Sequence, residues 1–246
     1  MRQRIAGRLY DSPQAPIWTK SEVARNRIVR KVCETLIKRF GRPRLSNPRD
    51  PVDDLIFLML SNRTQEAAVR TVYDSLKAFG SWDDVSELPQ NAIRMAIQIA
   101  GLSRKRSQQI KQSLKRIRTD FGVCRLGELR KWNTQRAHEY LTALPGVSDK
   151  VAKCVMMYTL GFKVLPVDVH VFRVSSRLGW TSRCRADQCH DDLEALVPPP
   201  LRYAFHVDCI VLGRTICTPR VPNCHACAIR KFCSYYRQRN EPPRET

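Results

Sequence analysis

Residues 144–161 read LPGVSDKVAKCVMMYTLG. Gly146 gives the backbone the freedom that a tight reversal needs. Ser148 then opens a helix that runs to Leu160 and is closed by Gly161. Upstream, Leu129–Leu141 reads as another helix, so the stretch is one helix, a short hairpin and a second helix. Outward from it the pattern stays helical. Val29, Val32, Cys33, Leu36, Ile37 and Phe40 share one face, with Ser21 as a cap and Gly41 as a stop. Asp53–Leu60 reads as a buried helix, and Val69 to Phe79 as the next, closed by Gly80. Further helices are expected at Asp83–Glu87, Gln90–Ala100 (with Gly101 as C-cap), Ser103–Phe121, Val169–Leu178, Ala186–Val197 and Leu201–Ile216. Few segments alternate with period two, which makes the fold class all-α.

Lysine and arginine number 43 against 23 acidic residues, a formal charge of +20. Such self-repulsion is tolerated where the partner is a polyanion, so nucleic acid leads and an anionic membrane surface comes second. No apolar run approaches the ~20 residues that span a bilayer. Residues 1–20 carry Arg2, Arg4 and Arg8 but no apolar core of a secretory signal, and are expected to form a basic N-terminal extension.

Four of the ten cysteines crowd into Cys217-x6-Cys224-x2-Cys227-x5-Cys233. Four thiolates this close in sequence can wrap one soft-metal site at little loop-closure cost. Zinc and a cubane cluster both accept four thiolates. Cys33, Cys124, Cys154, Cys184, Cys189 and Cys209 are scattered, which suits buried reduced thiols in a reducing compartment.

Leu144–Ala152 resembles the helix–hairpin–helix motif of the endonuclease III family of DNA glycosylases, and the cysteine spacing resembles that family's iron–sulfur loop. Leu58-Met59-Leu60-Ser61, Ile99-Ala100-Gly101-Leu102, His206 and Leu212-Gly213-Arg214 resemble further family segments, so the similarity runs from about Arg27 to Tyr236. The resemblance implies two helical lobes. A six-helix barrel with the hairpin covers 44–162, and a cluster lobe combines 21–43 with 163–246. It implies a [4Fe-4S] cluster on Cys217, Cys224, Cys227 and Cys233. Duplex DNA would lie between the lobes, its target nucleotide flipped out. The hairpin contacts would come from Leu144, Gly146, Val147 and Ser148, where backbone N–H groups at a helix start bind phosphate.

Lys150 matches the family's catalytic lysine, and Pro166–Arg173 resembles the segment carrying its catalytic aspartate, here Asp168, 18 residues later. A neutral lysine amine can attack the sugar C1′, expel the base and form a Schiff base. A carboxylate near C1′ stabilises positive charge developing on the sugar. β-Elimination then nicks the strand. His170 is a further candidate DNA contact. The chain departs from the family pattern at two places. Ser148 replaces the second hairpin glycine, and Arg63 stands where a glutamine fills the gap left by the flipped base, with Gln65 two residues on.

The expected function is therefore base-excision repair by a bifunctional DNA glycosylase/AP lyase acting on oxidised pyrimidines. The alternatives are a G·T or G·U mismatch glycosylase and a non-catalytic DNA-binding module. The expected partner is double-stranded DNA with a damaged or mismatched base or an abasic site. A monomer in the bacterial cytoplasm or nucleoid, with no membrane association, is expected.

Overall fold

The computed structural model describes residues 20–240, apart from 44, 46, 62, 63, 65, 101 and 102. The basic extension, except for its last residue, lies outside them, as do Arg63, Gln65 and Gly101. Among the described residues there is no strand, and no helix is long and apolar enough to cross a membrane. The helices are α1 Lys20–Phe40, α2 Pro51–Ser61, α3 Glu66–Lys77, α4 Trp82–Glu87, α5 Gln90–Ala96, α6 Ser103–Phe121, α7 Thr134–Thr142, α8 Asp149–Tyr158, α9 Val169–Leu178, α10 His190–Leu196, α11 Arg202–Thr215 and α12 Ser234–Asn240.

Three expected helices are interrupted. Gln90–Ala100 becomes α5 followed by a 3-10 turn at Gln98–Ala100. Leu129–Leu141 breaks at Trp132, whose ring is locked between Phe121 and Tyr140, and Asn133 starts α7 afresh by accepting the Arg136 N–H at 2.8 Å. Ala186–Val197 breaks after a 3-10 turn at Ala186–Gln188. Ser21, expected ahead of this helix, falls within α1. Helix α12, packed on α9, was not foreseen.

Two hydrophobic cores form. The first runs from Val52 to Val164 and joins α2–α8. The second joins Val29–Leu36 of α1 to residues from Leu165 to Ile229. The chain passes from one to the other at Val164–Leu165. Helix α8 is central to the first core, with Val151–Met157 all buried, including Lys153. Lys153 can be buried because Glu194 and Asp191 of α10 stand 3.3 and 3.5 Å away, across the junction. The expected buried, reduced state holds for Cys33, Cys154, Cys189 and Cys209; Cys124 is half-buried and Cys184 is exposed. Burial pushes the Cys33 and Cys154 thiols up to about 12, which keeps them unreactive.

The second core carries an internal cost. Asp208 of α11 is fully buried, and neither carboxylate oxygen has a hydrogen-bond partner among the described residues. Burial raises its carboxyl to about 6, although Arg42 pulls the other way. Between about pH 4 and 6 the unfolded chain ionises this group while the folded chain keeps its proton. The group therefore destabilises the fold increasingly as pH rises through that window, and fully above it. Asp208→Asn should raise stability by about 1–3 kcal/mol at neutral pH and have little effect near pH 4, as read from urea unfolding at both pH values.

Candidate active site

The hairpin is built from both sides. Leu144 and Val147 turn their side chains into the first core, so only their backbones are open to a ligand. Gly146 is exposed with φ +83°, and a β-carbon there would lie 2.7 Å from Gln109 Cδ of α6. Ser113 of α6 donates to the Pro145 carbonyl at 2.9 Å and ties the turn down. Val147 N–H is committed to the Leu144 carbonyl, whereas the N–H groups of Gly146 and Ser148 meet no described backbone carbonyl. Ser148 sits at φ −84°, ψ 165°, a conformation open to any residue, and its side chain caps α8 by accepting from Val151 N–H. The serine in place of glycine thus leaves the turn unstrained and adds a cap. The first-turn N–H groups beyond it face outward, as at any helix start.

Lys150 stands in that first turn, half-buried, and makes no hydrogen bond or ion pair with a described residue. Asp168 caps α9, the first helix built on the second core. Its Oδ1 accepts from His170 N–H at 2.9 Å and Val171 N–H at 2.8 Å, which leaves Oδ2 outside the cap. The two charges meet on common neighbours: both act on Cys154, on His170 and on His206. Two charges 18 positions apart in the chain thus act on the same three side chains at the junction of the cores. His206 Nδ1 lies 2.9 Å from the Pro166 carbonyl, which only accepts, so Nδ1 carries the proton. Its Nε2 then accepts from the Tyr158 hydroxyl at 2.6 Å. Burial holds His206 below its ordinary range, so this buttress behind Asp168 is neutral. Burial also lowers His170, followed by repulsion from Arg173, Arg214 and Lys150; its Nδ1 accepts from Arg173 Nη2 at 3.1 Å.

Arg173 and Arg177 link α9 to the cysteine loop. Arg173 donates to the carbonyls of Gly213 and Cys217, both at 2.8 Å. Arg177 donates to Cys217 Sγ at 3.1 Å and to the carbonyls of Thr218 and Pro219 at 2.9 Å, with its guanidinium over the Tyr235 ring. Cys217, Cys224, Cys227 and Cys233 are all half-buried, and none is in a disulfide. Burial pushes the Cys227 thiol up to about 11, and the other three cysteines add to the rise. They lie near enough to repel one another as thiolates, which a bound cationic centre would reverse. No three His, Cys, Asp or Glu side chains among the described residues converge as ligands of a single metal ion.

A family model described as HhH-GPD superfamily base excision DNA repair protein matches residues 56–199, which include the hairpin, Lys150 and Asp168. The chain belongs to this family. It is a base excision repair DNA glycosylase of the endonuclease III/HhH-GPD type. The glycosylase is 29% identical over 220 residues to endonuclease III of Thermotoga maritima, covering 87% of this chain and 96% of that one. It is 30% identical over 193 residues to a thymine/uracil-DNA glycosylase of Methanothermobacter thermautotrophicus, covering 76% and 83%. Its fold matches that of endonuclease III in a trapped covalent DNA complex with a TM-score of 0.74 at 24% identity, over 87% of this chain and 98% of that one.

The polar groups that flank the site were not all foreseen. Asp54 was hidden in a run read as a buried helix, and its only signal was an acid amid Val52, Leu55 and Ile56. Asp149, between His138 Nε2 at 2.5 Å and His190 Nδ1 at 3.0 Å, gave no pattern because its partners come from α7 and α10.

Proposed function

We propose that this glycosylase is bifunctional, with Lys150 as nucleophile and Schiff-base former and Asp168 as the carboxylate that stabilises the sugar cation. The observation that supports the reading is that an amine without an ion pair to a described residue, at the start of α8, and a cap carboxylate, at the start of α9, both act on Cys154, His170 and His206. The Lys150 lone pair attacks C1′, the base departs with the glycosidic electron pair, and β-elimination breaks the 3′ phosphate bond. Asp168 Oδ2, outside the cap, faces the developing charge. The N–H groups of Gly146, Ser148, Asp149 and Lys150 take a DNA phosphate, and His170 lies beside the sugar. Arg214, Arg220, Arg230, Lys231 and Arg237 extend a basic surface along the cysteine loop toward the backbone.

The four cysteines suit a [4Fe-4S] cluster, in which each thiolate would bind its own iron and the ligands need not meet at one point. When bound, such a cluster would neutralise the thiolates and shape the basic loop; it would do no base chemistry. Protein isolated without oxygen should carry roughly four iron atoms per chain and lose them in Cys227→Ala. Zinc in their place would contradict this assignment.

Oxidised pyrimidines are the proposed substrates, acted on by a monomer in the reducing interior of the cell. A second reading, thymine or uracil opposite guanine, is favoured by the thymine/uracil-DNA glycosylase relative. Duplexes carrying thymine glycol, dihydrouracil, G·T, G·U or an abasic site decide between them when base release and nicking are scored separately. Release from the first two, with nicking of the abasic duplex, is expected. Release confined to G·T and G·U would favour the second reading, and nicking of no duplex would remove the lyase.

A further inference from the structure

We propose that Asp54, buried behind Lys150 where α2 packs on α8, is a positioning residue that accepts the ammonium proton of Lys150 and so readies the amine for attack. The assignment rests on the lyase reading above and concerns how that nucleophile is made.

Asp54 belongs to the first turns of α2, where every neighbour from Leu55 to Leu60 is apolar and buried. It is 0% exposed. Asn47 holds one oxygen, donating from Nδ2 to Oδ1 at 2.7 Å, while Oδ2 is buried with no hydrogen-bond partner among the described residues. Leaving such a group unsatisfied is costly, and a leucine would fill the position without that cost. The acids just before Asp54 in the chain have structural work. Asp50 caps the Val52 and Asp53 amides, and Asp53 pairs with Lys77 and accepts the Trp82 indole N–H. Asp54 takes only the Asn47 bond, on one oxygen.

Its electrostatic surroundings point to Lys150. From α8, Lys150 acts on Asp54, and Cys154, one turn further on, feels both. Tyr158, another turn on, also feels Asp54. From α3, Arg70 lies against the Phe57 ring, and from α6, Arg106 binds the Leu60 carbonyl and Thr64, at the far end of α2. No locked ion pair joins Asp54 to Lys150, so the lysine is not held as a structural ammonium. Its four-carbon stem can carry Nζ toward Oδ2 and back to a substrate. Burial raises the Asp54 carboxyl to about 7, against the Asn47 hydrogen bond and the Lys150 charge. In the transfer, an Nζ–H bond breaks and an Oδ2–H bond forms. The electron pair stays on Nζ, and the ammonium and the carboxylate both become neutral.

The test is single-turnover borohydride trapping on an abasic duplex, followed from about pH 5.5 to 9.5. Wild-type trapping should rise through a limb near pH 7, as Asp54 loses its proton and becomes an acceptor, and then level off. Asp54→Asn should fold with unchanged or higher thermal stability. It should trap at least ~10-fold more slowly at pH 7.5 and climb with pH without the plateau. Asn47→Ala removes a hydrogen bond that lowers the carboxyl, so its limb should move to higher pH while Lys150 is untouched. A wild-type limb retained in Asp54→Asn, or an unmoved limb in Asn47→Ala, overturns the assignment. If Asp54→Asn fails to fold, the Asn47→Ala limb alone decides. A wild-type protein that forms no trapped complex at any pH removes the lyase reading, and this assignment with it.

Discussion

Lys150→Ala should lose strand nicking and borohydride trapping by at least ~10³-fold while binding an abasic duplex within a few-fold of wild type. The size follows from the chemistry. Without the amine there is no Schiff base. Lys153, one turn along α8, is buried and committed to Glu194 and Asp191. Binding should survive because the hairpin's phosphate site uses backbone N–H groups, and Lys150 has no ion pair with a described residue whose loss would disturb α8. Gel-shift affinity and trapped-product yield on the same duplex separate the two effects.

Asp168→Asn should reduce base release by about 10²–10³-fold with almost no loss of stability. Asparagine caps a helix about as well as aspartate, so the bonds from His170 and Val171 N–H at 2.9 and 2.8 Å are kept. What disappears is the negative charge at Oδ2. Asp168 is then distinguished from a residue that merely starts α9. If it were only a cap, the asparagine variant would release base at the wild-type rate. If the cap itself were disturbed, the thermal midpoint would fall together with activity.

The parts of the site legible in the sequence are those specified locally. Gly146, Gly161 and Gly179 end or reverse helices at φ +83°, +83° and +77°, a region that glycine occupies without strain. Asp168 reads as an N-cap because its partners are the next few amides. The crowding of Cys217–Cys233 shows in sequence because the loop itself is short. What stayed hidden depends on packing between distant segments. Whether Asp54 faces solvent or the α8 interface is decided by the fold. The link from Arg177 to Cys217 joins residues far apart in the chain, and no helical period announces it. The break before α7 escaped for the same reason: Leu129 and Trp132 fit a helical face, and only the packing of Trp132 against Phe121 and Tyr140 ends the turn there. Arg63 and Gln65, on which the choice of base was expected to turn, lie outside the described residues, so substrate choice is left to the duplex panel.

The central claim is that one amine, at the start of α8, carries the covalent chemistry. It is tested most directly by trapping the wild-type protein on an abasic duplex with borohydride, digesting the complex and locating the sugar adduct by peptide mass. The account predicts an adduct on Lys150 alone. An adduct on another lysine, or no adduct under conditions in which the strand is nicked, would contradict it.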